Sequence, residues 1–206
     1  LQLLPAWLRS EGLNLKTIAA FAFIQLPYSW KFIWAPLMDR YNLIAPLGRR
    51  RSWMLITQIA LFLSMVAYGF YEPKLDIKTI AIISTMIAFF SASQDIVIDA
   101  FRREILSDHE LGLGNSIHVN AYRIAGLVPG SLGLILADHL AWSSVFWIVA
   151  LFMLPGIIMT LVIKESSTIA APKTLYASVV EPFHEFITRK GWQSALWILV
   201  FILLYK

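Results

Sequence analysis

The chain has 206 residues, 58% of them hydrophobic and only 15% charged, with a mean hydropathy of +0.68. A soluble domain is about 45–50% apolar and about 25% charged, so this composition expects lipid rather than water as its solvent. The formal charge of +4 comes from basic residues in short segments between apolar runs, which reads as a topology signal rather than a nucleic-acid face. Cysteine is absent, which excludes disulfides, thiolate nucleophiles and Cys-ligated metals.

In chain order, residues 1–8 read as the outer end of a first helix. Apolar runs follow at 17–38, 53–71, 79–100, 113–137 and 142–163, and a further run starts at Trp192. Each complete run is long enough to cross a hydrocarbon core of about 30 Å at about 1.5 Å per residue. Helices are the expected form, because an open sheet leaves backbone groups unpaired in lipid and the runs lack the alternation of a barrel. The chain opens without Met and closes inside an apolar run, so both ends are expected to lie within a longer protein. The expected division is transmembrane helices over 1–163, a cytoplasmic loop over 164–191, and the start of a seventh helix over 192–206. Within the loop, Leu175, Val179, Phe183 and Phe186 have the spacing of an amphipathic surface helix.

Orientation follows from the loops. Arg40, Arg49, Arg50, Arg51, Arg102, Arg103, Lys164, Lys173, Arg189 and Lys190 share one side. Only Arg9, Lys16, Lys74 and Lys78 fall on the other, so the first set is expected in the cytoplasm.

Charges inside the spans need a reason, since each costs at least about 2.5–3.5 kcal/mol near the bilayer centre. Lys31 lies about 12 Å inside the cytoplasmic edge by residue count, Asp95 about 10 Å and Arg123 about 15 Å. These three share a layer on three helices, where opposite charges offset one another's desolvation if they face a common interior. A structural ion pair and a solute cavity both fit this layer. Rows of polar neighbours favour the cavity: Ser91, Asp95 and Asp99 on one helix face, Ser116, Asn120 and Arg123 on another, and Gln25 and Tyr28 before Lys31. His118 and Tyr122 form an adjacent stripe. Asp95 and Asp99 are both candidate proton carriers, with Asp99 drawn toward Arg102 three residues on. Asp39-Arg40 and Gly48-Arg49-Arg50 make a charged hairpin whose acid is expected to reach Arg102 or Arg103, an ion cluster able to latch one conformation. Gly126 and Gly130 have the spacing that lets helix backbones approach. His109, His118, His139 and His184 have no metal-ligand spacing. An Asp95/Asp99 magnesium site of a diphosphate enzyme would call for more carboxylates, so neither metal nor enzyme is expected.

The hairpin resembles the loop between helices two and three of the major facilitator superfamily, GxxxDRxGRR, with Ala35 in place of the first Gly and residues 41–47 inserted. Three stretches narrow the resemblance to the AmpG muropeptide permease family: LPYSWKFIWAPLMDR ending at Arg40, GRRRSWMLITQ from Gly48, and SASQDIVIDAFR from Ser91. AWLRSEG ending at Gly12 and DAFRREIL from Asp99 also fit. The resemblance implies an all-α integral membrane fold, here the N-terminal six-helix bundle as a fragment of a transporter of twelve to fourteen helices in the bacterial inner membrane. It implies a symporter that imports anhydro-muropeptides (GlcNAc-anhydroMurNAc sugars and their peptides) for cell-wall recycling. The proton gradient drives it with no cofactor, and the C-terminal bundle is its partner. Gln94, Asp95, Asp99 and the region of Lys31 are implied to matter. A related branch carries acetyl-CoA and shares the Gln-Asp-x-x-x-Asp core. Another anionic solute, or a non-transporting membrane sensor or enzyme, are the other readings.

Overall fold

The computed structural model describes residues 2–165 and 174–205, and every regular element among them is helical. Residues 166–173, the first part of the expected inter-bundle loop with Lys173, lie outside the described residues.

The chain enters through α1 (Leu4–Ser10), whose Leu4, Trp7 and Leu8 are buried, and turns at Gly12. The first apolar run does not form one continuous helix. It divides into α2 (Leu15–Ala20), a 3-10 segment (Phe21–Gln25), α3 (Leu26–Trp30), a second 3-10 turn (Lys31–Ile33) and α4 (Ala35–Arg40). Two prolines explain the breaks. Pro27 and Pro36 sit in the first turns of α3 and α4, the one place where a missing N–H leaves no ladder bond unmade. The path stays helical from Leu15 to Arg40 and remains long enough to cross a bilayer at about 1.5 Å per residue.

Among the described residues, four further helical stretches are long and apolar enough to span. They are α5 (Arg49–Tyr68), α6 (Ile77–Ile105), α7 (Leu111–Leu127) continued by α8 (Gly133–Ala137), and α9 (Trp142–Leu151) continued by α10 (Leu154–Val162). A π-helical turn, Val128–Leu132, joins α7 to α8 around Pro129. Among the described residues no atom lies within 4 Å of where a Cβ on Gly126 would stand, whereas Leu3 packs directly on Gly133. Before α7, the Glu110 carboxylate accepts from the Ser107 hydroxyl at 2.7 Å and from its N–H at 3.0 Å. Those bonds hold the Glu110 carboxyl below the usual carboxylate range. Finally α11 (Leu175–Tyr205) bends at Gly191, whose φ of 79° interrupts the helix, and it packs beside α4.

α5 and α6 form the centre, antiparallel and packed along most of their length, with α9 and α10 against α5 and the segmented path against α6. Two apolar clusters hold them. One joins Trp7, Leu8, Tyr68, Ile80, Val145 and Phe146, and the other joins Met38, Met54, Val97 and Phe101 toward the Arg-rich end. Large apolar side chains also cover the outside, among them Phe23, Phe32, Leu63, Leu113 and Ile124, an arrangement that is unfavourable in water and neutral against lipid tails.

Candidate functional site

Two hydrogen bonds fix the segmented path to α6. The Tyr28 hydroxyl donates to Ser91 Oγ, and the Trp34 indole N–H donates to Ser93 Oγ at 3.0 Å. Lys31 lies midway between these anchors on the 3-10 turn, and Asp95 lies one helical turn beyond Ser91. The pinning holds the turn that carries Lys31 against the stretch of α6 that carries Asp95.

Two cavities flank this point. The larger, about 550 Å³, is lined by Gln2, Gln25, Tyr28, Ile87, Ser91, Asp95, Tyr122, Ala125, Gly126 and Pro129. The smaller, about 390 Å³, is lined by Tyr28, Asp95, Ile98, Asp99, His118, Val119 and Tyr122 and lies nearer the Arg-rich end. Tyr28, Asp95 and Tyr122 border both, so the carboxylate stands at the waist between them.

Asp99 and Asp95 differ in their partners. Arg102 holds Asp99 at 2.9 Å, one helical turn along α6. Among the described residues no hydrogen bond or ion pair holds Asp95, Lys31 or His118, and Asp95 is half-buried. The amide oxygen of Gln94 is buried and unpartnered, and Gln94 lines neither cavity.

The layer expected from residue counting is corrected at α7. Arg123 and Asn120 are exposed and line neither cavity, and the Asn120 amide donates only to the Ser116 carbonyl of its own helix. At about 100° per residue, the residues that do face the cavities form one stripe, His118, Tyr122, Ala125, Gly126 and Pro129, with Val119 at its edge. Ser116, Asn120 and Arg123 fall on roughly the opposite side. Depth was a matter of counting, but the facing side depended on packing that counting does not contain.

The ion cluster at the Arg-rich end is real but has other members. Arg50 reaches Asp39 and Glu104, each at 2.6 Å, and Arg49 reaches Glu104 at 3.2 Å. Arg50 and Glu104 are almost fully buried. Asp39 therefore pairs with Arg50 rather than with Arg102 or Arg103. Arg102 turns back to Asp99, Arg103 pairs with Asp108, and Arg40 lies over the Tyr41 ring. Glu104 and Glu165 were not anticipated. Glu104 had a signal, since a carboxylate in the last turn of a helix opposes the helix dipole and calls for a cation.

Glu165 follows α10 and accepts from the backbone N–H of Arg50 and of Arg51, both at 3.0 Å, capping the start of α5 from another helix. Arg51 completes the exchange, donating to the carbonyls of Thr160 at 2.9 Å and Leu161 at 2.7 Å at the end of α10. Gly48 makes the junction possible. Its φ of 90° and ψ of 173° suit glycine alone, and a Cβ would overlap the Glu165 carboxylate.

Among the described residues no three His, Asp or Glu side chains are grouped to hold a metal ion. Beside the two cavities stand an acid with no ion-pair partner among the described residues, a lysine and a histidine, which suit proton exchange, and two tyrosines, which suit a hydroxyl-bearing solute.

Comparison with known proteins adds the family. Residues 10–205 match the model described as Major Facilitator Superfamily. The chain is 45% identical, over 98% of its length, to the "Anhydromuropeptide permease" of Escherichia coli (strain K12), covering 41% of that protein. It is 50% identical over its full length to an "Uncharacterized protein" of Haemophilus influenzae, covering 49% of it. A "Putative transporter AmpG 1" of Rickettsia conorii is 34% identical over 70% of the chain, which covers 35% of that relative. The chain thus spans less than half the length of these relatives.

Proposed function

The chain belongs to the Major Facilitator Superfamily, and from that premise we propose that it is the N-terminal bundle of a proton-coupled permease importing anhydro-muropeptides across the bacterial inner membrane. The observation that carries this reading is the unpaired Asp95 at the waist between two cavities, one helical turn from an Asp99 already neutralised by Arg102. A carboxylate bordering space on both sides is where a transporter exchanges protons, because solute or helix movement changes the balance between desolvation and neighbouring charge. Lys31 provides a cation beside it, and Tyr28 and Tyr122 offer aromatic faces and hydroxyls to a sugar. The substrate class rests on the similarity to the Escherichia coli anhydromuropeptide permease. The solute lies between two bundles in transporters built this way, so the remaining wall belongs to the C-terminal part of the protein.

The test is uptake of labelled GlcNAc-anhydroMurNAc-tripeptide by right-side-out vesicles carrying the full-length protein. Each net positive charge moved inward across 100 mV is driven by about 2.3 kcal/mol, enough for accumulation on the order of 50-fold. Accumulation that collapses with a protonophore is expected. Uptake indifferent to the gradient rejects proton coupling, and binding without uptake rejects the permease in favour of a sensor.

A further inference from the structure

Among the described residues that border the cavity with Asp95, His118 carries an imidazole, the side-chain type suited to shuttling a proton. It comes from α7, while Asp95 comes from α6, and the two border the same cavity on the side toward the Arg-rich end. The other ionisable groups here are accounted for. Lys31 faces Asp95 from the segmented path, Asp99 is paired with Arg102, and the hydroxyl of Tyr28 is bound to Ser91. Tyr122 lines the wall beside His118, one turn along α7.

The helix that carries His118 also carries a break in its regularity. α7 (Leu111–Leu127) continues through the π-helical turn at Pro129. Such turns are local weak points of helical order and recur at functional sites.

We propose that His118 is a proton relay, taking the proton from Asp95 on the Arg-rich side and passing it toward the cytoplasm. A protonated Asp95 and a neutral imidazole become a carboxylate and an imidazolium as one proton crosses, directly or through one water, and the cavity's net charge does not change. The imidazolium then yields that proton to cytoplasmic water, and Lys31 remains to hold the carboxylate. Movement of α7 at Pro129 sets whether the two groups meet.

This inference rests on the proton-coupled reading above, so its test has one arm that needs no transport. In that arm, purified full-length protein is titrated by NMR of the His118 imidazole, with and without Asp95→Asn. A midpoint that differs by about half a pH unit or more is expected for facing groups, and identical midpoints overturn the proposal. In the second arm His118→Gln is assayed with GlcNAc-anhydroMurNAc-tripeptide. Gradient-driven accumulation is expected to fall about 100-fold while substrate counterflow, which needs no net proton release, stays within about twofold. Parallel loss of both, or loss of neither, overturns it. Absence of uptake by the unmutated protein instead rejects the permease reading and leaves the titration to decide the pair.

Discussion

The Arg-rich end of the bundle and the cavity at its middle both draw charged residues from α6, and they treat them in opposite ways. At the Arg-rich end the oxygen Oε1 of Glu104 takes donors from Arg49 and Arg50, Asp39 closes the other side of Arg50, and Arg50 and Glu104 are nearly excluded from solvent. About two and a half helical turns earlier, Asp95 has no ion-pair partner among the described residues. A buried charge stripped of water is tolerable only with its partner in place, so the first arrangement specifies a conformation. A half-buried carboxylate beside open space remains able to trade its proton, so the second arrangement suits the exchange proposed above. Substitutions at the two places are therefore expected to separate stability from activity.

Arg50→Ala carries the largest expected effect. It strands Glu104 in a buried site with only the longer Arg49 contact, and loss of one partner of a buried pair costs about 3–5 kcal/mol. Thermal unfolding of the full-length protein in detergent measures it. Adding Glu104→Gln to Arg50→Ala is expected to recover part of the loss, because the stranded charge is then gone. A double mutant no more stable than Arg50→Ala alone removes the case for this pair as a conformational lock. Asp95→Asn comes next and sharpens the contrast from the other side. Gradient-driven uptake is expected to fall about 100-fold, with an unfolding midpoint close to that of the unmutated protein because no ion pair is lost. A variant that unfolds early makes Asp95 a packing residue.

The same contrast explains what could be read before the structure was known. The spans of α5 to α10 follow from apolar runs, since lipid demands length and hydropathy and both are local properties. The Asp99–Arg102 pair is local too, three residues apart on one helix. Depth within a span was also countable, which brought Lys31 and Asp95 forward. The facing side was not. α7 has polar residues on two stripes, and attention goes to the one with the arginine, whereas the structure turns His118 and Tyr122 to the cavity. Pro27 and Pro36 are local helix breakers, but the 3-10 turn that brings Lys31 between its anchors depends on Ser91 and Ser93 of another helix.

Glu165 was the least legible residue, because its acceptors' partners lie more than a hundred positions earlier and are backbone groups with no sequence signature. It also gives the smallest and most local test. Glu165→Ala removes two bonds to the first turn of α5 and a negative charge at a helix N-terminus, and caps of this kind contribute about 0.5–2 kcal/mol. The unfolding midpoint should drop less than for Arg50→Ala, since the exposed ends of the junction admit water to the freed N–H groups. Glu165→Gln keeps one acceptor oxygen without the charge and is expected to fall between. If Glu165→Ala matches the loss from Arg50→Ala, then the junction of α5 with α10, rather than the buried Arg50–Glu104 pair, holds the Arg-rich end together, and the contrast with the cavity has to be redrawn around backbone capping instead of ion pairing.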